Sequence, residues 1–330
     1  MSKRTLSPVA KIAICIVSGI ILFVLVPAVV KGQPYFLHIL IVTMFHIVLG
    51  LSVNFVMRTG QVPLCQAAFM GIGAYTSTIL VMRLHWSFWI SFPLAGLIGG
   101  GVGILIGWPT LRIKGIHFAM ATFAFGEIMR LIFIAWVGLF GGANGIAGIP
   151  APDPISIPFL FTISFKSKLS FYYLALVFML FSLLVFYRLT FSKIGRAGQS
   201  IEEAEDLSRC IGINTMYYKI LAFTTCAVFS GMVGALDAHY MHFVGPQQYG
   251  FGNSVAYLTF AIIGGGAIFI GPIIGAVFLT FLPEFLRVAE SWEVVIYGVA
   301  LMLTILFMPK GITGFLADLR PRLFGLKQEV

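Results

Sequence analysis

Long apolar runs separated by short polar stretches organise this chain from end to end. A bilayer span needs about 20 mostly apolar residues, and roughly ten segments meet that requirement. They lie near Lys11 to Val30, Leu37 to Met57, Leu64 to Met82, Phe88 to Gly107, Ile116 to Val137, Ser170 to Leu189, Tyr218 to Asp237, Val255 to Ile270, Pro272 to Phe285 and Val294 to Met308. The ninth is short and begins at a proline, which predicts a broken or re-entrant helix. The pattern therefore predicts an all-α fold: a polytopic membrane helical bundle of about ten segments, with residues 1–330 forming a single transmembrane domain.

Two connections are long. Residues 138–169 are dense in Gly and Pro, which predicts an irregular, turn-rich lid rather than a helix. Residues 191–217 are polar and charge-rich between apolar neighbours, the one place where the chain offers water a folded, charged surface. That stretch reads as a basic entry (Lys193, Arg196), a helix N-terminus around Ser200 followed by Glu202, Glu203 and Glu205, and a stop at Gly212. Acidic residues in a first turn and Gly near a helix end satisfy capping and dipole preferences. A short amphipathic helix lying along the membrane surface is a docking element for a partner; the plainer alternative is a solvated linker.

Composition strengthens the membrane reading. Hydrophobic residues make up 59% of the chain and charged residues 10%, with a mean hydropathy of +0.99, outside the range of soluble globular domains. The net charge of +9 comes from Lys and Arg spread over short loops rather than gathered into a stripe, so it signals topology and not nucleic-acid binding. With the N-terminus cytoplasmic, Arg58, Arg112, Lys114, the 188–219 stretch and Lys310 to Lys327 fall inside, against Lys31, Arg83, Lys166 and Lys168 outside. Both termini and the 191–217 loop are then cytoplasmic and the 138–169 loop external. The N-terminal apolar run is too long for a signal peptide and has no small-x-small site, so it predicts an uncleaved span. Cys15, Cys65, Cys210 and Cys226 have no metal-ligand spacing and predict neither a disulfide nor a metal site.

No catalytic constellation stands out. The chain has no G-x-x-x-x-G-K-[ST], H-E-x-x-H, C-x-x-C or G-x-S-x-G, which predicts a non-enzyme whose energy comes from a partner or from an ion gradient. Glu127 and Arg130 share a helix face inside an apolar segment, either as a neutralised packing pair or beside a path or subunit contact. His38 and His46 share a face of the second segment, and Asp237, His239 and His242 cluster at the outer end of the seventh. These read as interfacial or packed groups, with His46 the one deep enough to serve a proton-coupled carrier. Glu284 and Arg287 read as a local ion pair. Glycine clusters at Gly71 to Ala74, Gly99 to Gly107 and Gly264 to Ala276 mark tight helix packing or unwound, path-lining backbone.

Several stretches in fixed order resemble the permease subunits of branched-chain amino acid ABC importers, of the LivM type. They include G-L-S-V-N-F at Gly50 to Phe55, A-A-F-M-G-I-G-A-Y at Ala67 to Tyr75, the run Pro109 to Arg130, G-G-A-N-G-I-A-G-I-P at Gly141 to Pro150, G-A-L-D-A-H-Y at Gly234 to Tyr240, G-P-I-I-G-A at Gly271 to Ala276 and P-K-G-I at Pro309 to Ile312. The resemblance implies a bacterial inner-membrane permease domain with four kinds of neighbour: a homologous second permease, two cytoplasmic ATPases, an external substrate-binding protein and lipid. No cofactor is bound by the chain itself, since ATP and Mg belong to the ATPases. It implies an ATPase-coupling loop containing Arg196, Glu202, Glu203, Glu205 and Gly212, and a translocation path for which Asn54, Gln66, Gly71, Gly73, Gly265 and Gly266 are the candidates. Leu207 and Ser208 stand where such loops carry small Ala-Ala residues. Pro63, Cys65 and Gln66 depart from the family's L-S-L-G-H-A-A-F, which leaves urea and short amides open as substrates beside hydrophobic amino acids. The competing classes are a stand-alone gradient-driven carrier or channel and an integral-membrane enzyme.

Overall fold

A computed structural model describes residues 34–157, 161–266, 268–286 and 311–314, with Gly298 and Met302. The first predicted segment, nearly all of the last, and Arg287 lie outside these residues.

Among the described residues, six helices are long and apolar enough to cross a membrane: α1 (Pro34–Met57), α2 (Gln66–Leu84), α3 (Phe88–Thr110), α4 (Ile116–Ala135), α6 (Lys168–Thr190) and α9 (Thr215–Met241). In lipid each backbone polar group must be satisfied within the chain, which is why runs this apolar fold as helices. Their ends are set by polar residues. Ser87, Ser167 and Asn214 accept from the backbone N–H of Trp89, Ser170 and Tyr217 to start α3, α6 and α9. Two shorter apolar helices follow, α10 (Phe251–Gly264) and α11 (Gly271–Leu286), with the chain reversing at Gly265, whose φ of +100° only glycine adopts readily. These eight helices match the second to ninth predicted segments, but the interruption falls at Gly265, inside the predicted eighth segment, and the ninth, expected to be broken or re-entrant, is one continuous helix through Pro283.

The long α9 is the axis of the bundle. It runs parallel to α2, with Gln66 beside Ser230 and Ser77 beside His239, and antiparallel to α3, where Gly96, Gly99, Gly100 and Gly103 face Met232, Ala227 and Val228. A Cβ on Gly73 would overlap the Gly231 backbone, so α2 and α9 touch main chain to main chain. Helix α1, with 83% of its most apolar window buried, is enclosed by α6, α9, α10 and α11, whereas α4 has 22% buried and turns most of its apolar surface outward. Antiparallel α11 lies along α1, with Thr280 at His46 and Pro272 at Gly50.

The 138–169 connection is turn-rich, as its composition predicts, but it also carries structure that the pattern does not show. One helical turn, α5 (Val137–Phe140), precedes two small antiparallel pairings. Strand β1 (Ile146–Ala147) pairs with β4 (Phe243–Val244), and β2 (Ile155–Ile157) with β3 (Phe161–Ile163). The partner of β1 follows α9, so no local pattern announces it.

Candidate functional site

The 191–217 segment begins earlier than its sequence suggests. The capping residue is Ser192, whose Oγ accepts from Ile194 N at 3.0 Å, and not Ser200, which lies inside α7 (Lys193–Glu203). Helix α7 buries Gly195, Gly198 and Ile201, a three-residue repeat that turns one narrow face toward the membrane body. Gly198 meets the Arg58 carbonyl, and Gly60 meets the backbone of Glu202. Ala204, with extended backbone, breaks the segment, and α8 (Glu205–Cys210) follows, with Gly212 at φ +86° just beyond it. The single predicted helix is thus a pair, because both Ser192 and the first-turn acids Glu205 and Asp206 start helices.

Helix α8 is held by charge. The Glu205 carboxylate meets Lys219 Nζ at 2.8 Å, Arg209 at 2.6 Å and Lys114 at 3.4 Å, and Lys114 also reaches Asp206 at 3.1 Å. Burial raises the Glu205 pKa, yet the hydrogen bond and charge of Lys219, joined by Lys114 and Arg209, outweigh it and hold the carboxyl below its usual range. Lys219 sits in the first turns of α9 and is buried; Lys114 belongs to the α3–α4 connection. A single carboxylate therefore pins α8 to two separate parts of the bundle. Arg196, Glu203 and Gly212 remain on the open surface, joined there by Leu207 and Ile211, which are 65% and 68% exposed. From the sequence, Lys219 and Ile211 were not singled out, Lys114 was read only as a topology signal and Leu207 only as a departure from the small residues of such loops. Lone lysines beside apolar spans and apolar residues inside a charged loop were the available signals.

The path candidates fall into two groups. Asn54, Gly265 and Gly266 come together: Asn54 Nδ2 donates to the Gly266 carbonyl at 3.0 Å, its Oδ1 accepts from Arg58 at 3.2 Å, and Arg58 also reaches Gly266 O. Side chains from α1 thus hold the α10–α11 reversal. Gln66, Gly71 and Gly73 line α2. The Gln66 amide donates to Ser52 and Ser230, both at 2.6 Å, and accepts from the Cys226 thiol at 2.7 Å, binding α1, α2 and α9 in one buried knot. Gly71 lies under the rings of Tyr249 and Phe133.

Glu127 and Arg130 do pair, at 2.7 Å, and the second carboxylate oxygen accepts from Phe251 N at 3.2 Å, at the first residue of α10. The pair therefore caps a helix that starts within the bundle. The histidines are partnered: His38 with Tyr240, His46 with Thr280, His239 with Ser77 and the Pro150 carbonyl, His242 with the Ile149 carbonyl. Glu284 accepts from the Tyr35 hydroxyl.

The described residues thus combine apolar helices of spanning length, an interruption at Gly265 and a charged two-helix foot on one end. Residues 35–306 match the family model "Branched-chain amino acid transport system / permease component". The high-affinity branched-chain amino acid transport system permease proteins LivM of Salmonella typhimurium and of Escherichia coli K12 are each 32% identical over 288 residues, covering 82% of this chain and 68% of the relative. The autoinducer 2 import system permease protein LsrC of Escherichia coli O9:H4 is 27% identical over 79% of this chain and 75% of its own length. No solved structure matches the chain. The chain belongs to the permease-component family of branched-chain amino acid transport systems. It is a LivM-type, multi-pass permease of the ABC importer class, a transport subunit and not a catalytic one.

Proposed function

We propose that this chain is one of two homologous membrane subunits of an ATP-driven, binding-protein-dependent importer of branched-chain or other hydrophobic amino acids in a bacterial inner membrane. Its neighbours are two cytoplasmic ATPases on the 191–217 side and an external binding protein on the 138–169 loop, with both termini cytoplasmic. ATP and Mg are handled by the ATPases alone. The observation that carries this reading is the rooting of α8 by Glu205 on Lys219 and Lys114, which leaves Arg196, Glu203, Leu207 and Ile211 open to a partner. Closure of the ATPases shifts α7 and α8 as a body, and the shift tilts α9 and the α3–α4 connection to which they are tied. Asn54, Gln66, Gly71, Gly73, Gly265 and Gly266 line or shape the path that opens alternately to either side. The Gln66 amide is fully engaged by Ser52, Ser230 and Cys226, so selectivity among solutes rests mainly with the binding protein.

The test is uptake of labelled leucine, urea and acetamide by vesicles holding the chain with its partner subunits, with ATP and binding protein each present or omitted. Leucine uptake that requires both is the expected result. Uptake by this chain alone, driven by an ion gradient and indifferent to ATP, would establish a secondary carrier instead, and a preference for urea or acetamide would replace the amino-acid assignment.

A further inference from the structure

Lys166 and Lys168 are charges for which the coupling scheme has no use. They stand, with His38, His242, Phe171 and Tyr240, in the wall of a cavity of about 290 Å³ where α1 and α6 begin and α9 ends. Its floor is fixed by contacts between the three helices: the Phe171 and Tyr240 rings lie 4.8 Å apart, and the Tyr240 hydroxyl bonds His38 Nδ1 at 2.9 Å. Both lysines are exposed, and neither joins an ion pair among the described residues. Lys168 reaches the Pro34 carbonyl at 3.4 Å, a long bond. The guanidinium of Arg83, at the same end of the bundle, is by contrast engaged by the Gly138 and Leu139 carbonyls. A lysine at the end of an apolar span ordinarily reaches outward into water, so two of them on one walled cavity call for a ligand.

The walls select an anion. Among the described residues no Asp or Glu lines the cavity. The carboxylates of Asp153 and Glu284, at the same end, are occupied by Ser87 with Phe88 and by Tyr35. Two ammonium groups repel a metal ion or an amine and supply six N–H donors to an oxyanion. Ser167, also in the wall, starts α6 by accepting from Ser170 N at 3.2 Å, which sets the positive end of that helix beside the lysines. The volume is at the lower end of small-ligand pockets, about 300–1,000 Å³, room for a headgroup and not for a whole lipid. Depth then chooses among anions. Three spanning helices end at the cavity, and the exposed Tyr35 and Phe36 in the first turn of α1 are aromatic side chains of the kind that settle at headgroup level. The oxyanion resident at that level is a phospholipid phosphate, and basic pockets between membrane helices hold acidic headgroups. A zwitterionic headgroup would bring its own cation against the lysines, so the fit is to a net negative lipid.

We infer that this cavity binds the phosphate headgroup of an anionic phospholipid, with Lys166 and Lys168 as its cationic contacts. The site is independent of the importer reading. Its test follows the thermal unfolding midpoint of the full-length protein in neutral detergent micelles titrated with phosphatidylglycerol, phosphatidylcholine or sodium phosphate. Phosphatidylglycerol should raise the midpoint to a plateau, and the other two should not. Lys166→Gln with Lys168→Gln should raise the half-saturating phosphatidylglycerol concentration about 10- to 30-fold, the contribution of two lysines at a membrane surface. If the double variant does not fold, Lys166→Gln alone, which breaks no contact among the described residues, should raise it severalfold. Arg188→Gln, at the opposite end of α6, should leave it unchanged. A phosphatidylglycerol effect that survives the lysine variants, or that falls equally with Arg188→Gln, overturns the site. An effect matched by sodium phosphate assigns the cavity to a soluble anion and overturns the lipid. Lysine variants that keep the lipid effect but lose affinity for an external binding protein would make the cavity a protein-docking site instead.

Discussion

Lys219 carries an ammonium into the first turns of an apolar helix and leaves only 2% of its side chain exposed, a position that is tenable because Glu205 lies 2.8 Å away. Removing one member of such a pair leaves a buried charge uncompensated, whereas replacing both is far milder. Glu205→Gln, which strands the buried Lys219, should destabilise the purified protein by about 3 kcal/mol, Lys219→Met, which leaves Glu205 with Arg209 and Lys114, should cost less, and the double variant should cost less than the sum. Thermal unfolding of the four proteins of the cycle measures this, and strict additivity would mean that the pair is not coupled. The pH dependence has a definite sign. Because the fold holds the Glu205 carboxyl below its usual range, its contribution is complete above the ordinary carboxylate pKa and is lost as pH falls through the lowered value. Between pH 7 and pH 3 the unfolding midpoint of the native protein should therefore fall more steeply than that of Glu205→Gln. Glu205 was visible in the sequence as an acid in a docking loop. Its partners Lys114 and Lys219 were not, since they come from the α3–α4 connection and the first turns of α9, which only the folded bundle brings together.

Glycines decide the outcome at the scale of elements, and they divide sharply. Gly73 presses on the backbone of Gly231, while Gly101, on α3, has nothing within 4 Å of where its Cβ would stand. Gly73→Ala should force α2 from α9 and lower stability by about 3 kcal/mol or more, the upper end of overpacking effects. Gly101→Ala should be neutral or stabilise by up to about 1 kcal/mol through helix propensity. Unfolding of both variants in the same detergent is the check, and equal effects would remove the close-packed seam from the account. The sequence showed that glycines cluster but not which of them touch, because the crossing of α2, α3 and α9 depends on helix rotation that composition does not encode. The helices α1 to α4, α6 and α9 to α11 were legible because apolar length is a local signal, whereas the interruption near the ninth segment was placed within it and falls ahead of it at Gly265. The start of α7 was misplaced because Ser192 and Ser200 offer the same capping chemistry, and burial of Gly195, Gly198 and Ile201 is what selects the first.

In the whole molecule, the two-helix foot is tied to the bundle at separate points: Gly195 at the end of α6, Gly198 and Glu202 at the loop after α1, Glu205 at the α3–α4 connection and at α9. Arg58 extends the tie, since the same loop reaches Gly266 at the α10–α11 reversal. Under the proposed coupling, a foot attached this widely would pass a push to several spans at once. A covalent link between foot and body should then be tolerated. Thr59 and Gly198 suit the purpose, because a Cβ on Gly198 would lie 3.5 Å from Thr59 Cγ2, the branch whose place a cysteine sulfur at position 59 can take. In a background without native cysteines, Thr59→Cys with Gly198→Cys should oxidise readily and keep at least half of the ATP-dependent leucine uptake of its reduced form. Uptake abolished on oxidation and restored by reductant would show that the foot slides on the bundle during the cycle, and that coupling passes through a moving joint at α1 instead of a fixed one.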